Sequence, residues 1–157
     1  MRRKGTRTIV ERMARECVAN QLRTLTRVVT GIYEEQLRPL KLKASQMVIL
    51  AITEKRGQVR AAELSLMLHV DASTLSRNLE RMRARGWLEE ARGGDERSRP
   101  FRLTASGKKI LREAFLAWER AQESAVGLLG REGVANLHHL TEKVKTAASA
   151  DRKGSSR

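Results

Sequence analysis

The feature that most constrains the fold is a block of residues 60–103, because its order of elements is unusual in so short a span. Apolar side chains recur at helical spacing in residues 60–68 and again in residues 73–85, which predicts two short helices separated by a tight turn. Residues 87–90 and 101–103 follow as two short strands joined by a polar, glycine-containing loop. The block therefore predicts a helix-turn-helix followed by a hairpin, that is, a winged helix-turn-helix.

Long helical stretches flank this block, and the only two prolines, Pro39 and Pro100, interrupt neither of them. The first stretch runs from Thr8 to Leu37, and its apolar stripe is broad enough to need a second surface. The predicted fold class is mainly α with a small β-hairpin wing. Its parts are an N-terminal dimerisation helix (8–40), the winged helix-turn-helix (41–104), C-terminal dimerisation helices (105–129 and 132–148) and a disordered basic tail (149–157).

The charge of the chain predicts a polyanionic partner. Lys and Arg number 32 against 18 Asp and Glu, so the formal net charge is +14. Aromatic residues make up only 3% of the chain, whereas proteins that read RNA or single strands stack bases on aromatic side chains. Double-stranded DNA is therefore the expected nucleic acid, and a sequence-tolerant architectural DNA-binding protein is the main alternative to a sequence-specific one.

The second short helix is the predicted recognition helix. If Leu75, Leu79 and Met82 face the core, the polar residues between them face outward. Helix-turn-helix proteins lay such a polar face in the major groove, where Arg binds guanine edges and the helix N-terminus favours phosphate. The residues predicted to contact DNA from this helix are Ser73, Thr74, Ser76, Arg77 and Arg81.

The hairpin loop and two helix starts supply further predicted contacts. An Arg at the tip of a wing suits a narrow minor groove, and Asp95 lies close enough in sequence to orient Arg97. Arg99 is the third predicted wing residue. Ser45, as a candidate helix cap, and Arg60 are predicted phosphate contacts.

At these residues the chain resembles the MarR family of bacterial transcription regulators. The matching stretches are 70–77, Arg85-Gly86-Trp87-Leu88, and the wing pattern Asp95-Glu96-Arg97 completed by Leu103-Thr104-Ala105-Ser106-Gly107. Residues 27–33 and 37–42 match the end of the first family helix. The resemblance covers residues 14 to 146. His69 departs from it, since many helix-turn-helix turns have Gly there, although His tolerates a left-handed backbone better than most residues.

The resemblance implies an obligate homodimer whose two winged domains reach successive major grooves of a pseudo-palindromic operator. It implies that Arg97 enters the minor groove while Asp95 orients it. It further implies a repressor that releases DNA when a small aromatic or phenolic ligand binds between the dimer helices and the winged domain. Tyr33 and Met47 lie near that crevice by resemblance, although both residue types also serve as ordinary core.

Cys17, the single cysteine, raises the alternative of a redox-sensing regulator. One branch of the family senses hydroperoxide through a cysteine near the start of its first helix. That branch surrounds the thiol with tyrosines, whereas this chain has only Tyr33. A small buried apolar residue is therefore the expected role of Cys17.

The sequence predicts no catalysis, no cofactor and no metal site, because it contains no nucleophile, phosphate-loop or zinc motif. His138 and His139 are adjacent, so they point in different directions on a helix. The longest apolar run, residues 47–52, is too short to cross a membrane, and no secretory signal follows the basic N-terminus. These features predict a cytoplasmic protein.

Overall fold

The computed structural model of the chain describes residues 5–91 and 99–154, with side chains described as far as residue 147. Within those ranges, two helices precede a short 3-10 turn, three further helices and a hairpin follow, and a long helix comes last. They are α1 (Thr6–Glu16), α2 (Val18–Leu37), the 3-10 turn Arg38–Leu40, α3 (Ala44–Arg56), α4 (Ala61–Leu68), α5 (Ala72–Ala84), β1 (Leu88–Glu90), β2 (Phe101–Leu103) and α6 (Ala105–Gly154).

The core lies in the middle of the chain, where α3, α4, α5 and the hairpin pack on the end of α2 and the first half of α6. It is built almost wholly of aliphatic side chains, so its stability comes from burial of apolar surface. The fully buried members include Leu37, Leu42, Ile49, Leu50, Val59, Leu64, Leu75 and Met82.

The hairpin pairs β1 with β2 in antiparallel register, with Leu88 opposite Leu103 and Glu90 opposite Phe101. Val59, just before α4, extends this small sheet by exchanging two backbone hydrogen bonds with Phe101, at 3.0 and 2.8 Å. The wing is thereby fixed at its base to the helix-turn-helix.

The Leu103–Gly107 motif joins the wing to α6. The Thr104 backbone N–H donates to the Trp87 carbonyl at 3.1 Å, and the Thr104 hydroxyl accepts from the Gly107 N–H at 3.0 Å as the helix cap. A Cβ at Gly107 would lie 2.1 Å from the Trp87 carbonyl oxygen. Only glycine therefore allows α6 to begin so close to β1.

The predicted single helix from Thr8 to Leu37 is wrong in one respect, because Cys17 divides it into α1 and α2. Cys17 has an extended backbone (φ −69°, ψ 105°). The Gln21 side chain donates to the Arg15 carbonyl at 2.9 Å, which satisfies one carbonyl freed at the end of α1. Neither glycine nor proline marks this break in the sequence.

Two predicted helix starts also need correction. Ser45 does not cap α3, since Lys43 is the N-cap residue and its N–H donates to the Gln46 side chain at 3.1 Å. Ser73 does not begin α5, because Asp71 is the N-cap residue. At α5 the Asp71 carboxylate accepts the Thr74 N–H, and at α3 the Gln46 side chain accepts the Lys43 N–H.

The left-handed turn at His69 has φ 51°, in accord with the expectation that His tolerates this conformation. The long closing helix bends at Gly130 (φ 69°), between the two helices predicted there. The predicted disordered tail from residue 149 is wrong as far as Gly154, because α6 extends to that residue. Ala147, Ala148 and Ala150 are strong helix formers, which explains the extension.

Apolar side chains lie exposed on the terminal helices. Leu22 is 53% exposed and Leu140 is 55% exposed, and none of the α1 residues is buried. The same exposure is found at Ile9, Val10, Met13, Val18, Val28, Leu128 and Val144. These faces are not covered by any residue that the structure describes.

Candidate nucleic-acid interface

Helix α5 has one face in the core and the other in solvent, as the sequence predicts for a recognition helix. Leu75, Leu79 and Met82 are buried, at 3% exposure or less. The intervening polar side chains of Ser73, Thr74, Ser76, Arg77 and Arg81 are all exposed. The structure therefore brings these five predicted residues together on one surface.

The N-terminus of α5 is organised by Asp71. Its Oδ1 accepts the Ser73 hydroxyl at 2.7 Å and the Thr74 backbone N–H at 2.8 Å. These hydrogen bonds, the one from Ser73 above all, hold the pKa of the Asp71 carboxyl well below its usual value. The cap fixes the first turn of α5, so the exposed side chains that follow it have a defined direction.

The polar side chains of α5 differ in how they are engaged. Ser76 donates to Glu80 at 3.1 Å, and Ser73 donates to Asp71, so both hydroxyls point along the helix. Arg77 and Arg81 have no hydrogen-bond or ion-pair partner among the described residues. These two guanidinium groups are therefore free to reach a base edge or a phosphate without breaking a contact within the described part of the chain.

The wing is described only at its base. Asp95 and Arg97 lie outside the described residues. Arg99 is described, and its guanidinium lies 3.8 Å from a carboxylate oxygen of Glu90. The other oxygen of Glu90 lies 3.0 Å from Arg83 of α5, a connection that the sequence analysis missed.

The two predicted phosphate contacts outside α5 are both exposed. Ser45 lies in the first turn of α3, and Arg60 is the N-cap residue of α4, where its N–H donates to Glu63 at 2.8 Å. Each is thus next to free N–H groups at a helix N-terminus, a favourable place for an anion.

Arg85 connects the end of α5 to the segment between α2 and α3. No pattern in the sequence indicated this contact. Its guanidinium donates to the Lys41 carbonyl and lies 4.8 Å from the centre of the Trp87 ring. On the α2 side, Glu34 accepts the Ala44 N–H at 2.9 Å and pairs with Lys43 at 2.9 Å. The segment between α2 and α3 is thereby tied to both the terminal helix and α5.

A cavity of about 570 Å³ opens between α3 and α6. Its wall is mainly apolar and includes the stacked rings of Phe115 and Trp118, 5.8 Å apart. The lining residues are Met47, Ala51, Glu54, Lys55, Leu111, Arg112, Phe115 and Trp118.

The two predicted ligand residues are not brought together by this cavity. Met47 lines it, but Tyr33 does not. The Tyr33 hydroxyl instead donates to the Gln122 side chain at 2.5 Å, and burial raises its pKa. Tyr33 therefore joins α2 to α6.

Cys17 is exposed at the break between α1 and α2, so the expectation of a buried apolar role is wrong. Among the described residues, no three His, Cys, Asp or Glu side chains come together as a possible metal site. No described helix combines the length and the apolar character needed to span a bilayer.

Comparison with protein families places this geometry in a known group. The model of the MarR family matches residues 40–98. The transcriptional regulator HosA of Escherichia coli O111:H- is 32% identical over 129 residues, which is 82% of this chain and 94% of HosA.

Solved structures show the same fold. The Mycobacterium tuberculosis regulator MOSR, in complex with DNA, is 29% identical with a TM-score of 0.74, covering 87% of this chain and 98% of its own. BpsR of Bordetella bronchiseptica, whose DNA binding is regulated by 6-hydroxynicotinic acid, is 24% identical with a TM-score of 0.71 over 82% of this chain and 94% of its own.

Proposed function

This chain belongs to the MarR family of DNA-binding transcriptional regulators, and on that premise we propose that it binds one operator sequence as a homodimer. Members of this family regulate transcription and are not enzymes, in agreement with the expectation from the sequence. The proposed operator is a pseudo-palindrome in double-stranded DNA. The proposed effect is repression that a small aromatic or phenolic ligand relieves.

The observation that carries the proposal is the two-sided helix α5. Its apolar side chains are buried and its polar face, with Arg77 and Arg81, is exposed. Contacts to the DNA backbone position a protein, whereas contacts to base edges specify sequence. A capped helix whose Arg77 and Arg81 side chains have no partner among the described residues therefore suits sequence readout. In this proposal Arg77 binds a base edge, and Ser73, Thr74, Ser76 and Arg81 support it, with Ser45 and Arg60 on phosphates.

The homodimer is supported by the exposed apolar faces of the terminal helices. Leu22 of α2 and Leu140 of α6 lie on such faces, and extensive exposed apolar surface is typical of an interaction site. A two-fold pair of chains would present two copies of α5, and half-sites about one helical turn apart then give a palindromic operator. Arg97 and Arg99 of each wing would bind the adjoining minor groove.

The ligand half of the proposal is supported by the cavity between α3 and α6. Its stacked rings offer an apolar surface for an aromatic group, and Arg112 and Lys55 stand at its edge. The cavity touches α3, which begins beside the segment held by Arg85 of α5 and Glu34 of α2. A ligand bound in this cavity would change the position of the winged unit relative to the terminal helices.

Arg77→Ala tests the readout by α5. We expect the operator to be bound about 1–3 kcal/mol less tightly, with base preference relaxed at one position in each half-site. Arg23→Ala removes the same charge from α2 and should change affinity for operator and random duplex alike. Fluorescence anisotropy with labelled operator and random duplexes measures these affinities. An equal loss on both duplexes would reduce Arg77 to a phosphate contact, and a wild-type protein without preference would favour the architectural alternative.

Ala51→Trp tests the ligand site, because the larger ring fills the cavity next to Trp118. Hydroxybenzoic acids and 6-hydroxynicotinic acid are the probes. We expect a probe to quench Trp118 emission in a Trp87→Phe background and to release the operator. The added Ala51→Trp change should abolish the release while operator affinity without ligand is kept. Release that persists in the filled variant would place the effector elsewhere.

A further inference from the structure

Three charged side chains connect α5 to β1 and to the residues just before β2. Glu90, the last residue of β1, lies 3.0 Å from Arg83 of α5 through one carboxylate oxygen. Its other oxygen lies 3.8 Å from Arg99, just before β2. One carboxylate thus stands between two guanidinium groups that belong to different parts of the DNA-binding surface.

The alternation of side chains along β1 explains why Glu90 and not Glu89 makes this connection. Successive residues of a strand point to opposite faces. Leu88 is buried in the core, so Glu90 lies on the same face and is only partly exposed. Glu89 points the other way and pairs with Arg102 at 2.8 Å, directly across the hairpin.

We propose that Glu90 is a positioning residue that sets the direction of the wing relative to α5, so that both reach one half-site together. The inference rests on the proposed function, since it concerns how the operator is read. Without the carboxylate, Arg83 and Arg99 would face each other as like charges and would move apart. Arg99 and the start of β2 would then shift relative to α5, although the pairing of β1 with β2 and of Val59 with Phe101 would remain.

The expected effect is on recognition and not on folding. Ion pairs as exposed as these contribute little to the stability of a folded domain. A contact that specifies sequence, in contrast, depends strongly on geometry, because a hydrogen bond weakens steeply with misalignment. Loss of Glu90 should therefore reduce the preference for the operator over random DNA while the melting temperature hardly changes.

Glu90→Gln tests the inference, with Glu89→Gln as its matched control. Each change removes one negative charge from β1 and breaks one ion pair with an arginine, but only Glu90 contacts α5. Since both changes make the surface more positive, both variants should bind random duplex somewhat more tightly. The ratio of operator to random affinity should fall about two- to fivefold in Glu90→Gln, an effect of the order of one exposed ion pair, and stay unchanged in Glu89→Gln.

Arg83→Gln completes a double-mutant cycle. If Arg83 and Glu90 act through their contact, each single change should lower the ratio, and the double variant should lose no more than the larger single loss. Losses that add would contradict the inference, as would a Glu90→Gln ratio equal to that of Glu89→Gln. A wild-type protein with no operator preference would overturn the proposed function itself, which these variants do not decide.

Discussion

The winged unit of this chain, residues 41–104, and its terminal helices differ in how far their apolar side chains are buried. In the winged unit, the core-facing aliphatic side chains of α3, α4, α5 and the hairpin are buried by residues of the same chain, as at Leu64 and Leu75, although Val48, Leu66 and Met67 are exposed. In α1, in the first half of α2 and at the end of α6, side chains of the same type lie exposed, as at Leu22 and Leu140.

The difference indicates that the two regions are stabilised in different ways. A region that buries its own apolar surface has a stability independent of protein concentration. A region whose apolar surface is covered by a second copy gains stability by mass action, so its melting temperature rises with concentration. The first of the following predictions tests this difference, and the other two test how the winged unit is held together.

Leu64→Ala should have the largest effect, because Leu64 is fully buried at the centre of the winged unit. We expect a loss of about 2–5 kcal/mol in the free energy of unfolding, at every protein concentration. Leu140→Ala, at a side chain that is 55% exposed in one chain, should weaken self-association and lower the melting temperature mainly in dilute solution. Calorimetry over a range of concentrations measures both. If Leu140→Ala lowered the melting temperature equally at every protein concentration, this face of α6 would not be a dimer interface.

Gly107→Ala should lower the free energy of unfolding somewhat less than Leu64→Ala does, by about 1–3 kcal/mol. The added methyl group would overlap the Trp87 carbonyl and separate β1 from α6. The matched change Gly127→Ala lies in the same helix where a Cβ meets nothing within 4 Å. It should stabilise α6 slightly, since Ala favours a helix over Gly. Urea unfolding of the two variants gives the comparison. Equal stability of both would mean that the wing is not held against α6 as described.

Asp71→Asn should have the smallest effect, and that effect should disappear in acid. Because hydrogen bonds lower the pKa of Asp71 in the folded state, its carboxylate stabilises α5 above the ordinary pKa of 3.8. This contribution is lost as pH falls through the folded-state pKa. Asn also caps helices but does not titrate, so the difference in melting temperature between wild type and variant should shrink below about pH 4. A constant difference down to pH 2 would show that the Asp71 charge is not part of the cap.

The sequence predicted the exposed polar face of α5 well, because that face depends on local periodicity. Leu75, Leu79 and Met82 recur at helical spacing, which fixes the outward direction of Arg77 once the helix forms. The wing and the start of α6 were also predictable, since the residues at 103–107 form a compact local motif.

What the sequence did not predict depends on contacts between distant residues or on competition between neighbouring groups. Glu90 meets Arg83 only through the register of the hairpin, and Tyr33 meets Gln122 of α6, far along the chain. The break at Cys17 lacks a glycine or proline, so no local pattern marks it. At α3 the Lys43 N–H donates to the Gln46 side chain, so the helix begins before the predicted cap Ser45.

Selection of bound duplexes from a random pool tests the central claim most directly, namely that two copies of α5 read DNA from one dimer. We expect the wild-type protein to recover an inverted repeat whose half-site centres lie about 10 base pairs apart. Recovery of a single unrepeated site, or of no preferred sequence, would contradict the account.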